Sequence, residues 1–143
     1  AMEPRRFSKI IEKCPAERVK ELARPIVEQH QVAVIRKPAK TLVMVRMRET
    51  VAKAEFYLGE LLAAEAMVEL EGTKGFSLLM GDDLDKAFSA AVLDALRRSG
   101  LPQWEAVRLA LEQEEERQQQ EERREICRHN ASRVQFNTLD VEY

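Results

Sequence analysis

The sequence predicts an α+β fold: N-terminal helices, a small mainly antiparallel sheet, a packed helix, and a long C-terminal helix with a tail. Three observations predict it. Apolar residues recur at helical spacing as far as His30, then switch to two-residue alternation between Val32 and Met80. The strand-like segments follow one another without intervening helices, so their pairing is expected to be antiparallel. Helical spacing returns after Asp83 and then disappears, because no residue from Glu112 to Glu125 is apolar.

The elements follow in order. Phe7, Ile10, Ile11 and Cys14 share one face of a first helix. Pro15 suits the first turn of a second, where a missing N–H costs nothing. Val19, Leu22, Ala23, Ile26 and Val27 form that helix's stripe, and Gln29-His30-Gln31 ends it. Val32 to Ile35 is a short β-branched strand, and Lys37-Pro38-Ala39-Lys40 reads as a turn. From Leu42 to Glu49 the chain alternates, with Val43, Val45 and Met47 expected to face the core and Met44, Arg46 and Arg48 the other side. Phe56 and Tyr57 give a further short strand before Gly59. Ala66, Val68 and Leu70 alternate with Met67, Glu69 and Glu71. Glu71-Gly72-Thr73-Lys74-Gly75 is a turn, and Phe76, Leu78 and Met80 are expected to be the core face of the last strand, stopped by Gly81.

Asp82 or Asp83 can cap the next helix by accepting from its free amides. Leu84, Ala87, Phe88, Ala91, Val92, Ala95 and Leu96 give that helix a wide apolar face. Arg97 and Arg98 suit its negative end, and Gly100 its cap. Pro102 opens a last helix with Trp104, Val107, Ala110 and Leu111 on one side. Past Leu111 the stripe stops, which predicts a compact domain over residues 1–111 and an extended charged helix with a docking tail over 112–143. The charged run is rich in helix formers and offers Glu114–Arg117, Glu121–Arg124 and Arg117–Glu121 pairs, each worth about 0.2–0.5 kcal/mol. It has no apolar seam for a coiled coil. Ile126, Val134, Phe136, Leu139 and Val141 then return, an apolar end that needs another surface to dock on.

With 143 residues, 45% hydrophobic and 34% charged, the chain has the size and composition of one globular domain. A net charge of −2 supplies no field for nucleic acid or an anionic membrane, and no apolar run approaches the roughly 18 residues of a membrane span. Ala1 ahead of Met2 reads as an expression remnant, and no signal peptide is visible. Two cysteines, Cys14 and Cys127, far apart in sequence, fit a reducing cytoplasm better than a disulfide framework.

Catalytic motifs are not found. His30 and His129 sit in no metal-binding spacing, and Cys127 with His129 is too little for a metal site. The five glycines are scattered and form no phosphate loop. Asp82, Asp83 and Asp85 are better read as capping than as a cation loop. Asn130-Ala-Ser132 matches a glycosylation sequon, but nothing points to secretion. Arg46 and Arg48 share a strand face and are candidate anion contacts.

The tail Asn130-Ala-Ser-Arg-Val-Gln-Phe136 resembles the C-terminal signature of the G subunit (PhnG) family of the bacterial carbon–phosphorus lyase system. Pro15-Ala16-Glu17, Leu42-Val43 with Arg48, Phe56-Tyr57-Leu58-Gly59-Glu60, Gly75-Phe76-Ser77, Gly81-Asp82-Asp83 and Ala91-Val92-Leu93-Asp94-Ala95-Leu96 resemble further pieces of the same family in the same order. The likeness covers nearly the whole chain. It implies a subunit of a core complex that transfers an alkylphosphonate to the ribose C1 of ATP, displacing adenine and giving a ribose 1-alkylphosphonate 5-triphosphate. The glycosyl-transfer site would lie on the I subunit and the radical iron–sulfur step on the J subunit. This chain would be an accessory subunit without a catalytic constellation or bound cofactor, with ATP and alkylphosphonate as substrates of the complex and the I, H and J subunits as its partners.

Two departures from the family pattern stand out. Glu65 and Asp82 occupy places where the family often has arginine, and Glu49-Thr-Val-Ala-Lys-Ala-Glu55 replaces a small glycine-rich turn. Arg128, Asn130, Ser132, Arg133, Val134 and Phe136 are the expected partner-binding residues: Arg133 for an acid, Val134 and Phe136 for an apolar pocket. The alternative is a stand-alone homo-oligomeric anion-binding or regulatory protein, its long helix paired with its own copy and Arg46 and Arg48 binding a small phosphate compound; a homodimer in isolation is also open. An independent enzyme is the weakest reading, since no nucleophile–base pair is visible.

Overall fold

The structure is a computed structural model. It describes residues 2–48 and 55–141, and side chains outside 45–58 and 131–143. The chain divides into two compact units, Ala1–Val107 and Arg108–Tyr143.

The first unit begins with α1 (Pro4–Lys13) and α2 (Ala16–Gln29), which bury Phe7, Ile10 and Ile11, and Val19, Ala23 and Ile26. Pro4 falls in the first turn of α1, where its missing N–H is harmless. Pro25 lies inside α2 and removes one backbone hydrogen bond, yet the helix runs on to Gln29. Three strands follow, β1 (Val32–Arg48), β2 (Glu55–Leu70) and β3 (Thr73–Met80), antiparallel and in the order β1-β2-β3. Glu71 and Gly72, with φ of 48° and 80°, make the two-residue turn between β2 and β3. Positive φ at both central positions is what a type I′ hairpin turn requires.

Four expectations are corrected here. Lys37-Pro38-Ala39-Lys40 is not a turn: β1 runs through it, with register irregularities between Val34 and Arg36 and between Arg36 and Ala39. Proline has no N–H for a ladder, so it is tolerated in a bulged stretch of an edge strand, and β1 is one. Phe56 and Tyr57 belong to the same long strand as Ala66 to Leu70 rather than to a separate one. Phe76, Leu78 and Met80 are exposed, and the buried face of β3 is Gly75, Ser77 and Leu79. On β1 the expected facing is reversed: Val43 pairs with Leu61 on the outer face, whereas Met44 stands on the same side as Ala64 and Ala66, and the side chains of Val45 and Met47 lie outside the described ones.

The reason is the position of α3 (Leu84–Ser99). Every residue from Ser89 to Leu96 is buried, so this helix is enclosed on all sides. It lies between the sheet and α2 and meets the sheet through small residues: Ala64 and Ala66 on β2, Gly75 and Ser77 on β3. A Cβ added at Gly75 would collide with the Ala91 carbonyl and the Ala95 backbone. Ser77 Oγ donates to the carbonyl of Ala87. Asp83 caps α3 by accepting from the Lys86 N–H at 3.0 Å, and Gly100 ends it at φ 74°.

The free edge of β3 is closed by carboxylates. The Phe76 N–H donates to Asp94 Oδ2 at 3.0 Å, and the Met80 N–H donates to Glu12 Oε1 at 3.1 Å. The last helix, α4 (Trp104–Val141), starts in this unit. Trp104 is buried with its ring 6.2 Å from that of Phe7, and Gln103 Nε2 donates to Gln29 Oε1.

In the second unit α4 continues unbroken. Arg108–Glu112, Arg117–Glu114 and Arg124–Glu121 pair along it. The backbone that the sequence marked as a tail is drawn into this helix as far as Val141.

Candidate partner-docking surface

Beyond β3 the sheet narrows to two strands. Ala63 is the last β2 residue opposite β3, whereas β1 and β2 stay paired from Leu42↔Leu62 out to Arg48↔Glu55. At about 3.3 Å per residue the ribbon extends roughly 20–25 Å past the end of the third strand. The chain alternates sides along it. Leu42, Met44 and Leu62 lie on the side that α3 covers farther down the sheet, and Val43 and Leu61 on the other. Leu42 is 60% exposed, Met44 55% and Leu61 50%.

The outer face of the three-stranded part is also open. Phe76, Leu78 and Met80 stand on it, each at least 40% exposed, opposite Met67, Glu65 and Ala63. Within the first unit, α3 packs on the other face. Leu61 follows Ala63 on the same side of β2, so the outer face and the ribbon join into one apolar surface. Contiguous apolar area of this kind marks an interaction site rather than ordinary surface. An isolated two-stranded ribbon is at best marginal in water, which adds to the need for cover.

Charges frame this surface. Arg36 reaches Glu65 at 3.5 Å across β1 and β2. Glu65, one of the two acids that depart from the family pattern, therefore has a cation of its own chain as partner. Asp82 is exposed beyond the end of β3.

The residues expected to bind partners fall into two groups. Arg128 and Asn130 are exposed on α4. The side chains of Ser132, Arg133, Val134 and Phe136 lie outside the described ones, as do those of Arg46 and Arg48; their backbone is helical in the first set and in β1 in the second. The ribbon residues Leu42, Met44, Leu61 and Leu62 were not singled out as a docking site by the sequence reading. A signal existed: Leu42-Val43-Met44-Val45 and Leu61-Leu62 are apolar at both parities, and such a strand asks for cover on both faces.

Among the described residues no group of three His, Cys, Asp or Glu side chains could hold a metal ion, and no helix is long and apolar enough to cross a membrane. Cys14 is buried, Cys127 exposed, and neither is in a disulfide. His30 Nδ1 lies 3.3 Å from Glu71 Oε1.

A family model described as phosphonate metabolism protein PhnG matches residues 3–140 of this chain. Among curated proteins none matches it.

Proposed function

The chain belongs to the PhnG family of phosphonate metabolism proteins, and from that membership we propose that it is an assembly subunit of a carbon–phosphorus lyase core complex. Its partners in this reading are the I, H and J subunits. The complex, and not this chain alone, transfers alkylphosphonate to ribose C1 of ATP with release of adenine. The chain itself supplies no cofactor site.

One observation carries the reading: the β1–β2 ribbon is apolar on both sides, with Leu42, Met44, Leu61 and Leu62 all exposed. A surface that supplies binding energy through buried aliphatic side chains suits a permanent partner. The helical C-terminus, with Arg128, Asn130, Ser132, Arg133, Val134 and Phe136, is the second proposed contact.

Co-expression with the I subunit from the same genome, followed by size exclusion with light scattering, tests the proposal. The expected result is a stable mixed complex, weakened by Leu42→Glu with Leu61→Glu and by deletion of residues 126–143. A stable homo-oligomer that ignores the I subunit would replace this reading with that of a self-associating regulatory protein.

A further inference from the structure

The two edges of the sheet differ in what their outward backbone groups meet. The Gly81 N–H donates to the Leu62 carbonyl at 2.9 Å, so Leu62 turns its backbone toward the β3 side. Its partner Leu42 then stands in a non-hydrogen-bonded pair, with its own N–H and C=O turned away from β2. The register is regular from Ala39 to Val45. The same alternation therefore turns Lys40 and Met44 outward, and Thr41 and Val43 toward β2. On β3 it agrees with the outward N–H groups of Phe76 and Met80.

Those two β3 amides have carboxylates as acceptors. Lys40, Leu42 and Met44 have no counterpart: among the described residues, no group of this chain is hydrogen-bonded to the outer edge of β1. They offer evenly spaced donors and acceptors on a strand whose Leu42 and Met44 side chains are more than half exposed. The opposite edge of the ribbon offers less. There the Leu62 carbonyl is taken by Gly81, and the register with β1 breaks beyond Gly59. An unpaired strand edge is a template for a further strand.

Charge selects the occupant. β1 carries Arg36, Lys37, Lys40, Arg46 and Arg48 and no acid. β2, already paired to its inner edge, carries Glu55, Glu60, Glu65 and Glu69 and no Lys or Arg. A second copy of β1 makes a poor partner. Antiparallel pairing about Val43 sets Lys40 opposite Arg46, and pairing about Met44 sets Lys40 opposite Arg48. Like charges directly opposite are destabilising. Pairing about Leu42 sets Arg46 opposite Pro38, which has no N–H to give. A strand composed like β2, apolar with acids at intervals, meets neither obstacle.

We propose that the outer edge of β1, from Lys40 to Met44, takes an extended acidic segment of a partner protein as a fourth strand. The backbone ladder anchors the segment. Leu42 and Met44 pack against it on one face and Val43 on the other, and its acids fall opposite the register positions of Lys40 and Arg46. The inference rests on the partner reading above and adds the form of the docked segment.

Amide hydrogen exchange, read residue by residue by mass spectrometry, tests it on the isolated chain and on the complex co-expressed with the I, H and J subunits. In the isolated chain Thr41 and Val43 should exchange slowly, and Leu42 and Met44 fast. In the complex Leu42 and Met44 should slow by at least about tenfold, the worth of one hydrogen bond. A complex in which both stay fast would overturn the proposal and leave the partner reading standing; the absence of any complex would overturn both. Met44→Pro deletes an outward N–H and no bond to β2, so it should weaken the complex about tenfold, whereas Met44→Leu should bind like the unsubstituted chain. Equal binding by the proline variant would overturn the ladder. Lys40→Glu should weaken binding about threefold, and tighter binding would overturn the acidic character of the segment. An isolated chain that is itself a dimer with Leu42 and Met44 protected would replace the acidic partner with a second copy.

Discussion

The two ends of the β1–β2 pair share strands and register but not their surroundings. Near Leu70 the pair is backed by α3, and Ala64, Ala66, Val68 and Leu70 are buried. Near Glu60 the same two strands run on without a helix, and Leu42, Met44 and Leu62 face solvent. The composition of the inward positions follows the difference. Under the helix they include alanine, glycine and serine, because close approach of a helix backbone to a sheet leaves little room. In the ribbon they include leucine and methionine beside Glu60, and the aliphatic ones bury more area once covered and adapt to an irregular partner surface. One end of the pair is covered by its own chain, and the other stands exposed, which is what the proposed docking of a second chain requires.

Substitutions can break this contrast, and the largest effect is expected at Gly75. Gly75→Val would drive side-chain carbons into the Ala91 carbonyl and the Ala95 backbone, lowering stability by about 3 kcal/mol or more. Urea denaturation should show it as a fall in midpoint. The ribbon glycine is the control: nothing lies within 4 Å of a Cβ at Gly59, where φ is 142°. Gly59→Ala should therefore cost only backbone strain, about 1 kcal/mol. Equal losses at the two positions would abolish the distinction drawn here.

Asp94→Ala comes next. It leaves Arg97 buried without its carboxylate and the Phe76 N–H without an acceptor, and about 3 kcal/mol of destabilisation is expected from such a broken buried pair. Thermal melting would check it, and an unchanged midpoint would show that the network adds nothing. Glu12→Ala removes the acceptor from the Met80 N–H at an exposed site, so about 1 kcal/mol is expected. Faster amide exchange confined to the end of β3 is its signature.

The smallest stability effect is expected in the ribbon. Leu42→Glu with Leu61→Glu should leave the stability of the isolated chain within about 0.5 kcal/mol per site, while weakening association with the I subunit in the co-expression assay. A large loss of stability with association intact would mean that the ribbon serves this chain's own fold.

The same contrast explains what could be read from the sequence. Both N-terminal helices, the α3 stripe, its Asp83 and Gly100 ends and the solvated character of the run after Leu111 follow from local chemistry, and they were legible. The strands were harder. Pro38 looked like a turn because a bulged edge strand tolerates proline for reasons set by its neighbours. Phe76, Leu78 and Met80 were assigned to the core because hydrophobicity says that a face is buried without saying by whom. The helix backs the smaller residues, Gly75, Ser77 and Leu79, and leaves the larger ones out. The network around Asp94 was hidden in the same way. Arg97 and Arg98 read as partners of a helix end, and only the fold brings Phe7 and the β3 edge beside them.

The closed edge of β3 has a consequence for how large an assembly can become. A sheet with two open edges can recruit strands from both sides and grow without limit. In this sheet Asp94 and Glu12 hold backbone amides on one edge, and β1 carries the other. Along the three-stranded part, any strand added by a neighbour is directed to β1, and if that neighbour is a second copy, the joined three-stranded parts end in two carboxylate-capped borders. Growth by strand addition along that part then stops at a pair, so it can offer an interaction edge without the risk of a fibre.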